Sequence, residues 1–151
     1  MKKLITSILL IALMLVFTFG LVGCELYDKY ILQNSVDKAG KWEDAIYRKD
    51  VELGEGSKTV MVEVRVEEQY VTFTIHTDKE MLGDALMEHG LVEGEMGAYG
   101  LYVKKVNGIL AEYETTGTYW AFYINGEYGL TGVDKTDITD GATYMFKVEK
   151  A

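Results

Sequence analysis

Val60, Val62, Val64 and Val66 alternate with Met61, Glu63 and Arg65. A period of two in β-branched residues marks a strand with one buried face. Glu67-Glu68-Gln69 reads as a turn. Val71, Phe73 and Ile75 then alternate with Thr72, Thr74 and His76, which completes a hairpin. Thr77-Asp78-Lys79-Glu80 fits a capping box, in which Thr77 caps the backbone and Glu80 reaches back to it. The spacing of Leu82, Ala85, Leu86 and His89 predicts a helix over 78–89, closed by Gly90 at the C-cap position. Gly83 inside that helix costs about 1 kcal/mol relative to Ala, which close approach to the sheet would explain.

The second half is punctuated by turns. Asn107-Gly108 separates Leu101–Val106 from Ile109–Tyr113, and Asn125-Gly126 separates Tyr119–Ile124 from Glu127–Leu130. Asn-Gly between apolar alternations is a strong signal for a two-residue hairpin. Asp140-Gly141 opens a last strand, Ala142–Glu149, with Tyr144, Phe146 and Val148 on one face. The chain has no Pro, so its turns rest on Asn-Gly and Asp-Gly. Ahead of the first hairpin, Gly54-Glu55-Gly56-Ser57 is a turn, and Trp42, Ala45, Ile46 and Tyr47 are expected to cover an edge. The expected fold is α+β: a β-grasp-like mixed sheet with one packed helix, ββα followed by β-hairpins.

The N-terminus is a separate object. Met1-Lys2-Lys3 is a basic start, Leu4 to Phe19 carries no charge, and Leu21-Val22-Gly23-Cys24 follows. This is the layout of a secretory signal, and its end resembles a bacterial lipobox. The resemblance implies that Cys24 carries a diacylglyceryl group and that the chain is cut before it. The expected organisation is a signal peptide over 1–23, a lipid-anchored tether over 24–40 and a domain over 41–151. Cys24 is the single Cys of 151 residues, so it is read as a lipid attachment point at the extracytoplasmic face of the cell membrane. Loss of Lys2 and Lys3 leaves 13 basic against 24 acidic side chains, a formal −11 in place of −9. That balance argues against nucleic-acid partners, which need clustered Lys and Arg, and it would hold the body off an anionic lipid surface.

No catalytic constellation stands out. The Glu residues at 63, 67, 68, 93, 95, 112 and 114 read as solvated strand faces and loops. His76 ends a strand at an exposed phase. His89 lies in the last helical turn, where a cation suits the dipole. Asp134, Asp137 and Asp140 are spaced by three, a pattern unlike an EF-hand loop, and no metal is assigned. No P-loop, Gly-x-Ser-x-Gly or His-Glu-x-x-His pattern occurs.

Aromatic residues are more informative. Tyr119-Trp120-Ala121-Phe122-Tyr123 places Trp120 and Phe122 on one sheet face and Tyr119 and Tyr123 on the other. A single helix covers only one of them, so the other is expected to be partly open. Tyr99-Gly100-Leu101-Tyr102-Val103, Val106-Asn107-Gly108-Ile109, Thr118-Tyr119-Trp120-Ala121-Phe122 and Leu130-Thr131-Gly132-Val133 together resemble the C-terminal β-domain of transcobalamin and intrinsic factor. More closely, Trp42 to Lys150 resembles a bacterial lipoprotein domain of unknown function grouped with it. The resemblance implies a lid over a corrinoid such as cobalamin, approached by Tyr99, Gly100, Trp120, Phe122, Gly129, Leu130 and Thr131. Two positions depart from the vertebrate pattern: Tyr99 stands where Trp is usual, and Ala121 where Gln is usual. The α/α-barrel that holds the other side of the ligand there has no counterpart in this chain.

Three functions follow as expectations. The first is a surface lipoprotein binding a corrinoid or another flat amphipathic ligand, with no required cofactor, and passing it to a transporter. The second is an extracellular module that docks an exported partner protein without a small ligand. The third, an enzyme, lacks a nucleophile–base pair in the sequence.

Overall fold

A computed structural model describes residues 35–151. The signal segment, Cys24 and the tether as far as residue 34 lie outside the described residues. Among the described residues, no helix is long and apolar enough to cross a membrane.

The strands are β1 (Val51–Gly54), β2 (Lys58–Val66), β3 (Gln69–Thr77), β4 (Val92–Gly97), β5 (Gly100–Val106), β6 (Ile109–Leu110), β7 (Thr118–Ile124), β8 (Glu127–Tyr128) and β9 (Thr143–Lys150). Helix α1 spans Leu82–Glu88 and the single turn α2 spans Tyr113–Thr116. The architecture is α+β. A six-stranded mixed sheet has the order β1-β3-β2-β9-β7-β8, and a separate three-stranded sheet has the order β4-β5-β6. β2 and β3 form the expected antiparallel hairpin, and β9 returns to lie parallel to β2. Val60, Val62, Val64, Val71, Phe73 and Ile75 are buried beneath Leu82, Ala85 and Leu86.

Four elements depart from the sequence expectation. Residues Val51–Gly54, within the expected lead-in, pair in parallel with β3 as an edge strand. The strands expected after the helix divide between two sheets instead of continuing one. Ile109–Tyr113 and Glu127–Leu130 are strands for only two residues each, because Tyr113 enters α2 and Gly129 leaves the ladder. Finally, the helix begins at Leu82 and the capping box does not form. Glu80 pairs with Lys58 at 2.9 Å, while the Leu82 N–H is met by the Thr136 carbonyl at 2.9 Å. A tertiary carbonyl thus does the work of a side-chain cap.

The C-terminal end of α1 does follow expectation. Gly90 has φ +65°, its N–H donates to Met87 O, and the Leu91 N–H donates to Leu86 O. This is the paired bonding of a Schellman cap. Gly83 packs not against the sheet but against the short 3₁₀ turn Val133–Lys135. A Cβ there would lie 2.8 Å from the Asp134 Cα.

Asn107 and Gly108 form the β5–β6 turn with φ of +52° and +79°. Asn107 is wholly buried. Its Nδ2 donates to Tyr47 O at 2.7 Å, and its Oδ1 accepts the Tyr47 N–H at 2.9 Å. Its own N–H donates to Leu91 O at 2.8 Å, and its carbonyl accepts the Ile46 N–H at 3.0 Å. The lead-in segment is thereby fixed, with Trp42 and Ala45 in the core and the Tyr47 ring edge-on to Phe73 at 5.6 Å. Ile46 points outward and is exposed.

Asn107→Gly keeps the left-handed turn but strands both polar groups of Tyr47. An unsatisfied buried group costs about 1–3 kcal/mol; Tyr47 is half-buried, so urea unfolding should show a loss of roughly 1–3 kcal/mol in all, at unchanged m-value. A loss under about 1 kcal/mol would mean that the amide clasp is dispensable.

Candidate functional site

β7 presents its two faces differently. Inward, Phe122 stacks on Tyr144 (6.2 Å, 8°) and tilts against Phe146 (5.0 Å). The Trp120 indole N–H donates to Ile109 O at 3.2 Å, and Trp120 is 7% exposed. Outward, the hydroxyls of Tyr123 and Tyr119 both donate to Glu149, at 2.8 and 3.2 Å, and Lys147 stands 3.5 Å from the same carboxylate. The face left open by the helix is therefore the Tyr119–Tyr123 face, and its polar groups are used within the sheet.

On the inward side the two sheets leave a groove of about 160 Å³. One wall is Leu101, Tyr102 and Val103 of β5. The other is Trp120 and Phe122 of β7, and the loop Gly129–Val133 closes one end. Four of the residues expected from sequence, Trp120, Phe122, Gly129 and Thr131, line it. Tyr99 and Leu130 are not among the lining residues and are 92% and 95% exposed. Gly100 is buried behind the wall. The turn carrying Tyr99 and the loop carrying Leu130 abut, since the Tyr99 carbonyl is 3.6 Å from where a Gly132 Cβ would stand. Ala121 is wholly buried on the other face of β7, opposite Lys147, and is not part of the groove lining.

Glycine is required where the loop crosses β7 and β5. A Cβ on Gly129 would lie 2.7 Å from the Phe122 ring, and its N–H bonds Phe122 O at 2.8 Å. Asp134 was legible in sequence only as one of three spaced carboxylates. In the fold its Oδ1 accepts the Leu101 N–H at 2.8 Å, and a Cβ on either Gly100 or Gly132 would lie 2.7 or 2.6 Å from that oxygen. Asp134 latches the groove loop to β5. Asp140 instead accepts the Thr59 N–H at 2.7 Å, so these two carboxylates have separate tasks. Among the described residues, no group of three or more His, Cys, Asp or Glu is placed to hold a metal.

Tyr102 also borders a second, open concavity of about 320 Å³ with Glu95, Lys104, Glu112, Tyr113 and Glu114. Lys104 sits 2.6 Å from Glu112 and 3.0 Å from Glu95. Hydrogen bonds from Glu112 and then Glu95 push the Lys104 ammonium well above the usual lysine range. Lys104, followed by the Thr115 hydroxyl, holds Glu112 below the usual carboxylate value. At the far edge of the larger sheet, Thr59 Oγ1 lies 2.9 Å from His76 Nδ1, and His76 Nε2 lies 2.6 Å from Glu52. This hydroxyl–imidazole–carboxylate line joins β1, β2 and β3, and neither concavity reaches it.

The class of protein is thus a small α+β domain with two sheets and an aromatic groove between them. Residues 80–150, which contain the entire groove, match the model of the family described as "Domain of unknown function (DUF4430)". No curated protein matches the chain. Among solved structures, a protein from Ruminococcus gnavus ATCC 29149, described as a candidate metal-binding protein, is similar with a TM-score of 0.59 and 29% identity. That likeness covers 63% of this chain and 99% of the other. Haptocorrin in complex with Cbi is similar with a TM-score of 0.47 and 19% identity, over 65% of this chain and 26% of the haptocorrin chain.

Two measurements check this geometry. Gly132 has φ −64°, so Ala fits its backbone and meets only the Asp134 carboxylate closely. Gly132→Ala should cost about 1–3 kcal/mol as an overpacking change, and much of that cost should vanish in the Asp134→Ala background; simple additivity would refute the latch. The second concerns pH. The Glu149 bond and then burial raise Tyr123; burial and then the Glu149 bond raise Tyr119. Both tyrosines should ionise above the ordinary value of 10.0, with their share of stability intact below pH 10 and lost as pH rises through the raised values. Glu149 is lowered, chiefly by Tyr123, so its share holds above the ordinary 4.5 and is lost as pH falls through the lowered value. Ultraviolet titration of Glu149→Gln should bring both phenols back towards the ordinary range; an unchanged curve would disprove the coupling.

Proposed function

We propose that this chain is a lipoprotein, attached through Cys24 at the extracytoplasmic face of the membrane, whose domain binds a corrinoid such as cobalamin or a similarly flat amphipathic ligand. The observation that carries the proposal is the convergence of Trp120, Phe122, Gly129 and Thr131 on one groove, with Tyr99 and Leu130 exposed on the segments that lead into it. These are the positions that the resemblance to the transcobalamin β-domain assigned to the ligand. An apolar floor with a few hydroxyls at its margin suits a broad ring with a polar fringe. The groove is smaller than the 300–1,000 Å³ typical of a site that encloses a drug-sized ligand. It therefore acts as a platform or lid, and the ligand's other side is left for a partner such as a membrane transporter. The role is binding and transfer, with no catalysis.

A second reading has its own observation. Tyr99 and Leu130 are almost fully exposed apolar side chains beside one another's loops, and such a pair suits docking of an exported protein.

Trp120 is too buried to serve as a clean probe of binding. Tyr99→Ala and Leu130→Ala alter exposed side chains and should leave thermal stability within about 0.5 kcal/mol. Titration of cobalamin into the soluble domain should give a spectral change and heat, and each substitution should weaken binding about tenfold or more. No heat and no spectral change up to about 1 mM cobalamin, the weak end of the affinity scale, would overturn the corrinoid reading. In that case, one stoichiometric membrane-extract protein, held by the wild-type domain and lost with Leu130→Ala, would support the docking reading.

A further inference from the structure

The fold uses the same dipeptide in the same turn twice, once sealed and once open. Asn107-Gly108 and Asn125-Gly126 both bridge two-residue hairpins, and all four residues have positive φ. Asn107 is wholly buried with both ends of its amide bonded to Tyr47, and a Cβ on Gly108 would lie 2.6 Å from Asp44 O. Asn125 and Gly126 are exposed, and a Cβ on Gly126 would meet nothing within 4 Å. The Asn125 amide makes one side-chain bond, from the Thr143 N–H to Oδ1 at 3.0 Å.

We propose that Asn125 is a self-modification site, converting to aspartate and isoaspartate in the folded protein while Asn107 is protected. In this reaction the Gly126 backbone nitrogen attacks the Asn125 Cγ. A C–N bond forms, the Gly126 N–H proton is lost to solvent, and the side-chain nitrogen leaves with an added proton as ammonia. Water then opens the five-membered imide at one of its two carbonyls. Opening at one carbonyl gives Asp; opening at the other carries the main chain through the side chain and gives isoaspartate. No oxidant or reductant enters. Glycine at the second position leaves the attack unobstructed, since it has no Cβ. At Asn107 the same rotation requires breaking both Tyr47 bonds in a buried setting, with the Asp44 backbone packed against Gly108.

The two products differ in consequence. Asp keeps a carboxylate oxygen for the Thr143 N–H and tolerates the left-handed turn. Isoaspartate lengthens the main chain by one atom inside a two-residue turn, where loop length fixes the register. The pairing of Tyr123 with Tyr128 and the bond from Gly129 N–H to Phe122 O lie directly behind that turn. Isoaspartate should therefore loosen β8 and the Gly129 end of the groove.

The test is incubation of the folded domain in mildly alkaline buffer, followed by peptide mapping by mass spectrometry, with a parallel sample in urea. In the folded sample, the 125–126 peptide should gain the mass that replacing –NH2 with –OH produces, split between two isomers, while the 107–108 peptide stays unchanged. In urea both should convert. Hydrogen exchange of the isoaspartate fraction should show faster loss at Gly129, whereas an Asn125→Asp variant should not. Conversion at Asn107 as fast as at Asn125 in the folded domain would overturn the proposal. So would an unmodified Asn125 in the folded domain alongside conversion of both sites in urea. Neither readout involves a ligand.

Discussion

The buried amide of Asn107 joins the lead-in segment to the end of the β4–β5–β6 sheet, with which that segment shares no strand ladder. Its side chain clasps Tyr47, its N–H reaches Leu91 O, and its carbonyl receives the Ile46 N–H. In a low-dielectric interior, a fully satisfied polar group of this kind specifies one arrangement, because every alternative leaves donors or acceptors unmet. The same residue supplies the left-handed φ that the β5–β6 turn needs. One side chain thus fixes the turn, the entry of the chain into the core and the attachment of the smaller sheet. Trp42 and Ala45 reach their buried positions through the segment that this clasp holds.

The groove depends on that arrangement. Its walls come from β5 in one sheet and β7 in the other, so no ladder of backbone bonds sets its width. The Asn107 clasp positions the β5 wall from one end. Asp134 does so from the other, by holding the Leu101 N–H against the loop that carries Gly129 to Val133. Gly83, Gly100 and Gly132 come from three separate segments, and each lacks a side chain where Asp134 packs. A short carboxylate wedged among glycines has few alternative rotamers, which makes it a stiff latch at a place where the chain is otherwise loop.

Periodicity made the β2–β3 hairpin, β9 and both Asn-Gly turns legible in the sequence, since each is decided by residues close in the chain. The start of α1 was not. Thr77 and Glu80 have the right spacing for a capping box, but the Thr77 hydroxyl takes the Lys79 N–H, Lys58 draws Glu80 away, and the Thr136 carbonyl from a distant segment meets the first helical N–H at Leu82. β1 was hidden because an edge strand with only Val51 and Leu53 turned inward has too little pattern to detect. Of the groove, Trp120, Phe122, Gly129 and Thr131 came from motif resemblance. Asp134 could not, because its partners are the Leu101 amide and the absence of side chains at three glycines. A spacing of Gly at 83, 100 and 132 carries no local signal.

The alternation along β7 divides two kinds of aromatic by what their polar atoms can reach. On the outer face, a carboxylate at the facing position of β9 lets two phenols stay half-covered with their hydroxyls bonded, so tyrosine is suited there. On the inner face, Phe122 brings no polar atom and Trp120 brings one donor, already given to Ile109 O. The floor of the groove is consequently apolar with its donor spent, and polar character returns at the margins with Tyr102, Tyr128 and Thr131. A ligand that touches the floor gains by excluding water and is oriented only at its rim. Selectivity in such a site would lie with Tyr99 on the β4–β5 turn and Leu130 on the 129–133 loop, two segments that Asp134 ties together through the Leu101 N–H.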